Sequence, residues 1–191
     1  SWAASDLGSG VALYEYALGV TLGGTQIIPW TSAGTATADT LVFPVYQPLI
    51  EGATYFLSVR STDLAGNLSS AFNGDGIYID LTAPVAGSAF DGINTDISYT
   101  GSDSTLTATW SGFNDTHSGV ASYKAAIEDA AGHTVMDWTD VGNVSTWTAT
   151  GISLSNATLY HVLIRAADGA GNLSTTVSTN GITVDTDTPE S

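Results

Sequence analysis

The residues with the most obvious chemical potential in this chain are carboxylates set among glycines and amides. Asp63-Leu-Ala-Gly-Asn67 and Asp168-Gly-Ala-Gly-Asn172 form one pair of segments, and Asp6-Leu-Gly-Ser-Gly10 and Asp115-Thr-His-Ser-Gly119 form another. Asp, Asn and backbone carbonyls are hard oxygen donors, and calcium takes six to eight of them. Two carboxylates held within about 5 Å cost each other about 1 to 3 kcal/mol, and a hard cation reverses that sign. The same residues also have a purely structural use. An Asp can accept the backbone N–H groups of its own turn, with Gly66 or Gly171 taking the left-handed conformation. For Asp63 and Asp168 both readings stand.

Other chemistries find less support. His117, His133 and His161 lie in a loop, a turn and a strand, and none recurs in the other half of the chain. There is no cysteine, which removes disulfides, zinc-thiolate sites and thiol catalysis together. Without a recurring His, Cys or paired Ser and base, no catalytic triad can be assembled, and the expectation is that the chain is not an enzyme. Three basic residues, Arg60, Lys124 and Arg165, stand against 19 acidic ones, for a net charge of −16. A nucleic-acid partner is excluded on that ground, because nothing neutralises phosphates. No apolar run is long enough to insert in a membrane, and Ser1 to Val11 do not read as a secretory signal, so any export signal has been removed or lies outside the chain. Trp30, Trp138 and Trp147 are able to stack on glycans or to pack on a sheet. Asn-x-Ser/Thr sequons occur at Asn67, Asn114, Asn143, Asn156 and Asn172, and their use depends on the host.

What must position these residues is a repeated unit. Tyr55 to Ser69 aligns with Tyr160 to Ser174 at an offset of 105, which also carries Gly76-Ile-Tyr-Ile-Asp80 onto Gly181-Ile-Thr-Val-Asp185 and Pro84 onto Pro189. Upstream, Asp6 to Val11 matches Asp115 to Val120, and Trp2 and Trp30 fall on Trp110 and Trp138. Residues 1–85 and 86–191 are therefore read as two tandem repeats. The candidate strands alternate apolar and polar residues, as in Tyr55, Leu57, Val59 and Tyr160, Val162, Ile164. In the second repeat strands are expected near 97–100, 104–111, 120–128, 133–139, 144–150, 158–166 and 181–185, with almost no helix. Seven short strands suit an all-β sandwich of the immunoglobulin or fibronectin type III kind. The first repeat begins inside the equivalent of the second strand and so lacks its opening strand, either because the chain is cut from a longer array or because another subunit supplies it.

In such a sandwich the second-to-third and sixth-to-seventh loops share a pole with the entering chain. That expectation groups Asp115, Asp168 and Asn172 with Asp91 and Asp96 from the linker as a junction calcium site, and Asp6, Asp63 and Asn67 as a weaker equivalent in the first repeat.

The Val59-Arg-Ser-Thr-Asp-Leu-Ala-Gly-Asn-Leu-Ser69 and Val184-Asp-Thr-Asp-Thr-Pro189 segments resemble the bacterial immunoglobulin-like and fibronectin type III-like stalk repeats of large surface proteins. The resemblance implies an extracellular or cell-surface setting and a structural spacer in an adhesin or fibre, with neighbouring modules of the same array as partners. A self-assembling filament completed by a donated strand, or a carbohydrate- or protein-binding module, are the alternatives. Asp187 in the exit motif and Gly169 in the turn depart from the pattern.

Overall fold

The computed structural model describes residues 1–41, 43 and 49–190. The chain divides into two compact units, Ser1–Asp80 and Leu81–Ser191. Among the described residues there is no helix, and none is therefore long and apolar enough to cross a membrane.

The first unit has strands β1 (Val11–Gly19), β2 (Ile28–Gly34), β3 (Thr54–Asp63), β4 (Phe72–Asn73) and β5 (Ile77–Tyr78). They form one sheet in the order β2-β1-β3-β4, with β5 also on β3. Alternation decides which face turns inward: Tyr14, Tyr16 and Leu18 of β1 and Tyr55 of β3 are buried together. The antiparallel register sets Tyr16 opposite Val59 and Leu18 opposite Leu57. Among the described residues, those ahead of β1 form no strand. Trp2 nonetheless holds its place. Its N–H donates to Thr37 O at 2.8 Å, and its ring centroid lies 6.4 Å from that of Tyr14.

The second unit has strands β6 (Ser88–Asp91), β7 (Tyr99–Thr100), β8 (Thr105–Ser111), β9 (Val120–Asp129), β10 (Thr134–Gly142), β11 (Thr146–Thr150), β12 (Leu159–Asp168), β13 (Val177–Ser178) and β14 (Ile182–Val184). One sheet runs β10-β9-β12-β14-β7 with β13 beside β12, and the other runs β11-β8-β6. The core between them is built from every second residue: Leu106, Ala108 and Trp110 of β8, Ala125 and Ile127 of β9, Val162 and Ile164 of β12, Ile182 and Val184 of β14. Side chains of two facing sheets interlock this way when each strand alternates in and out.

Two strands were not anticipated, Ser88–Asp91 and Val177–Ser178. The first belongs to a strand that changes sheets. β6 pairs antiparallel with β8, the chain crosses through residues 92–98, and β7 then pairs parallel with β14 in the other sheet. The division between units also falls after Asp80 instead of after Val85. Pro84 cannot donate a hydrogen bond, but Val85 resumes pairing at once, giving its N–H to Asn114 O and accepting from Asn114 N.

The corner before the long strand is the same in both units. The Tyr55 hydroxyl accepts Ile50 N–H at 3.0 Å and the Tyr160 hydroxyl accepts Ser155 N–H at 2.8 Å. This tying of a strand's first tyrosine back to the preceding corner is a hallmark of immunoglobulin-type sandwiches.

Candidate functional site

The acidic turns are stapled by their own backbone. Asp168 Oδ1 accepts the N–H groups of Ala170 and Asn172, and its Oδ2 accepts from Asn172 Nδ2. Asp63 does the same with Ala65, Asn67 and Asn67 Nδ2. Gly66 and Gly171 have φ of 90° and 91°, a conformation that a side chain would strain. A third copy of the device went unrecognised in the sequence. Asp129-Ala-Ala-Gly-His133 joins β9 to β10, with Asp129 Oδ1 on the N–H groups of Ala131 and His133 and Oδ2 on His133 Nδ1 at 2.9 Å. The Asp-x-Ala-Gly spacing was the available signal. Hydrogen bonds from Asn67 hold Asp63 below the ordinary carboxylate range, and those from His133 do the same for Asp129.

Asp6 and Asp115 open the facing loops. Asp6 Oδ2 accepts from the N–H groups of Gly8, Ser9 and Gly10, and Asp115 Oδ1 from those of His117 and Gly119. In each unit one backbone bond joins the two loops: Leu64 N–H to Gly10 O in the first and Gly169 N–H to Gly119 O in the second, both 3.1 Å. A Cβ on Gly169 would lie 3.1 Å from Ser118 Cβ and O, so a side chain there would need Ser118 to shift by a few tenths of an ångström. The loops bring a carboxylate oxygen of Asp115 within 4.8 Å of one of Asp168. Asn172 Nδ2 also lies 3.5 Å from Thr82 O, in the segment that enters the unit. One pole of the second unit thus gathers Asp115 and Asp168, with Thr82 O reached through Asn172, and Thr82 was not among the expected ligands. In the first unit a different acidic pair stands out, with oxygens of Glu51 and the buried Asp80 within 4.8 Å.

Asp91 and Asp96 do not bond to these loops. Asp91 is fully buried where β6 leaves its sheet, and its Oδ2 accepts Gly181 N–H at 3.0 Å. Asp96 Oδ1 accepts Asp91 N–H, and its Oδ2 accepts from Asn180 Nδ2. These two acids tie the sheet-changing strand to the bulge between β13 and β14. Asp91 Oδ1 has no hydrogen-bond partner, and burial pushes the Asp91 carboxyl above its ordinary range, against the pull of bonds from Thr179 and Gly181.

The remaining candidates are placed as follows. Arg60 lies over the Trp30 ring at 4.1 Å and Arg165 over the Trp138 ring at 4.4 Å, so a guanidinium occupies one face of each indole. Trp147 packs against the core. His117 is in the β8–β9 loop, His133 in the β9–β10 turn, and His161 Nδ1 meets Thr179 O at 3.0 Å on β12. Asn67, Asn114, Asn143 and Asn156 are exposed and Asn172 is half-buried. The nitrogen that would carry a glycan donates to a carboxylate in Asn67, Asn156 and Asn172.

No family model matches the chain, and no curated protein does. Solved structures do match. The FN1–FN3 domains of chicken CNTN1 superpose with a TM-score of 0.50 at 15% identity, over 91% of this chain and 56% of that one. The twitchin kinase region of C. elegans, which includes Fn and Ig domains, matches at 17% identity and a TM-score of 0.41, over 58% of this chain and 18% of that one. The chain thus spans a little over half of the CNTN1 fragment, and at such identities the likeness is one of fold alone. With the strand order and the tyrosine corners, it makes this an all-β chain of tandem fibronectin type III-like sandwich units.

Proposed function

We propose that the chain is a structural spacer of an extracellular surface adhesin or fibre, and that calcium binds at the pole of its second unit where the chain enters. The observation that carries the metal is the approach of Asp115 and Asp168 to within 4.8 Å beside the Thr82 carbonyl. Like charges at that spacing repel, and a hard cation offering six to eight positions would take both carboxylates, the carbonyl and water. Its effect would be to pin residues 81–85 to the loops, adding to the Val85–Asn114 pairing already present. The first unit offers Asp6, Asp63 and Asn67 at the equivalent pole.

The spacer role is supported by the tandem repeat itself, Tyr55 to Ser69 on Tyr160 to Ser174, and by the exit motif Asp80 to Pro84. The extracellular setting follows from the resemblance of the Asp-x-Ala-Gly-Asn and exit motifs to surface stalk repeats. Neighbouring modules of such an array are the implied partners.

Calorimetric titration of the whole chain with calcium tests the site. One ion is expected at the second pole, with affinity of about 0.1 to 1 mM as in other extracellular modules, and Asp115→Asn should abolish it while leaving the fold intact. No heat and no thermal shift at about 10 mM calcium, roughly tenfold above that range, would remove the metal from the proposal.

A further inference from the structure

The two units carry opposite charges at one repeated position. Tyr14 and Tyr123 are matched by the repeat, so Glu15 of β1 corresponds to Lys124 of β9, as Arg60 corresponds to Arg165 and Trp30 to Trp138. In the first unit Glu15 stands opposite Arg60 across the strand pair, and Arg60 Nε donates to Glu15 Oε2 at 2.8 Å while the guanidinium lies over Trp30. The second unit keeps the stack, with Arg165 4.4 Å from the centre of the Trp138 ring, but its register sets Lys124 opposite Arg165. Like charges facing each other across two strands, with Cβ atoms about 5 Å apart, destabilise the pair. No carboxylate answers them: among the described residues neither Lys124 nor Arg165 makes an ion pair. Asp140, on the other side of Lys124, is bound instead to Ser122 Oγ at 3.2 Å and Gly142 N–H at 2.8 Å. Glu128 stands four residues along β9, about 13 Å away. Two of the three basic side chains in a protein of net charge −16 thus sit side by side with no anion between them.

We propose that this face of the second unit binds a sugar carrying one carboxylate, a uronic acid unit. The carboxylate takes the place that Glu15 holds in the first unit, between the Lys124 ammonium and the edge of the Arg165 guanidinium. Arg165 Nε donates to Thr176 Oγ1 at 2.7 Å, which fixes the plane of the guanidinium and leaves its two terminal nitrogens for a paired contact. Trp138, 37% exposed beside them, offers an apolar surface to the C–H face of a sugar ring. The net charge of −16 repels a polyanion, so the ligand presents a single carboxylate among neutral hydroxyls. The site uses neither Asp115 nor Asp168 and is tested without calcium.

The probe is methyl glucuronide, titrated into the whole isotope-labelled chain at constant ionic strength and followed by NMR, with methyl glucoside, acetate and acetylated glutamate amide alongside. Saturable shifts of the Trp138 indole N–H and the Arg165 Nε–H are expected, half-complete at about 1 to 10 mM, the range of a single unit held by a few contacts. The glucoside should produce none. Lys124→Glu, which restores the pairing of the first unit, should weaken binding about tenfold or more, as loss of a charge-assisted contact does. Glu15→Lys should create a second site, reported by the Trp30 indole. The proposal is overturned by no saturation at about 50 mM, about fivefold above that range, or by binding that Lys124→Glu leaves unchanged. Equal binding of acetate or of the glutamate amide overturns the sugar, since a bare carboxylate or an acidic side chain would then suffice.

Discussion

The same sequence position has opposite surroundings in the two units. Ile77 and Ile182 are related by the repeat and sit at the same point of the last strand, yet Ile77 is 64% exposed and Ile182 is 1% exposed. Val59 is half-buried where Ile164 is sealed. What differs is the sheet opposite: β11-β8-β6 covers the inner face of the second unit, whereas the described strands of the first unit form a single sheet. Local pattern specifies which face is apolar; the facing sheet seals that face along its length in the second unit, whereas in the first Tyr14, Tyr16, Leu18 and Tyr55 are buried but Ile77 is not.

The comparison is most exposed to failure at that isoleucine pair. Ile182→Ala should destabilise the second unit by about 2 to 5 kcal/mol, the usual cost of a core cavity, whereas Ile77→Ala should change stability by less than about 0.5 kcal/mol. Denaturant midpoints measure both, and equal losses would mean that the first unit's inner face is covered after all. The tyrosine corners make the opposite prediction. Tyr55→Phe and Tyr160→Phe each remove the acceptor of one backbone N–H at a half-buried corner, so each should cost about 1 kcal/mol, by the same assay. A large disparity there would show that the two corners are not equivalent.

The acidic turns sharpen the contrast further. Asp63 and Asp168 make the same three hydrogen bonds, but Asp168 is 3% exposed and Asp63 is only half-buried. Asp168 is the more deeply buried acceptor, so Asp168→Ala should cost about 1 kcal/mol and Asp63→Ala a fraction of that. Thermal melts of the two variants decide it.

The smallest effect is a slope with pH. Burial raises the pKa of Asp91, with Asp96 adding to the rise and His161 opposing it. A carboxyl whose folded pKa is raised contributes stability that is complete below its unfolded value of about 3.9 and is lost as pH rises through the folded one. Asp91→Asn should therefore flatten the fall in stability over that window, read as urea midpoints against pH. An unchanged slope would mean that Asp91 ionises in the folded protein as it does in the unfolded chain.

Much of this architecture was legible beforehand. Period-two runs such as Tyr160, Val162 and Ile164 locate strands because side chains in an extended chain point alternately to opposite faces. The internal repeat located the units, and Asp-Gly spacing located the turns. Ser88–Asp91 was harder, because Ser-Ala-Phe-Asp carries too few apolar residues to signal a strand. It is a strand because β8 offers it an edge and the facing sheet a cavity for small side chains.

The grouping of acids shows the same division. The turn at Asp168 was one of two readings legible in the sequence, since the donors that reach its carboxylate lie within four residues of it. The sequence grouped Asp115 with Asp168, but it could not separate that pair from Asp91 and Asp96. Asp91, Asp96, Asp115 and Asp168 all fall near the linker or the loops, yet Asp115 faces Asp168 while Asp91 turns inward to Gly181, 90 residues away. Local hydrogen bonds are written into spacing, whereas the meeting of remote carboxylates depends on the register of strands and on the point where one strand leaves its sheet. That register is a property of the packed sheets, and so it was decided only by the tertiary structure.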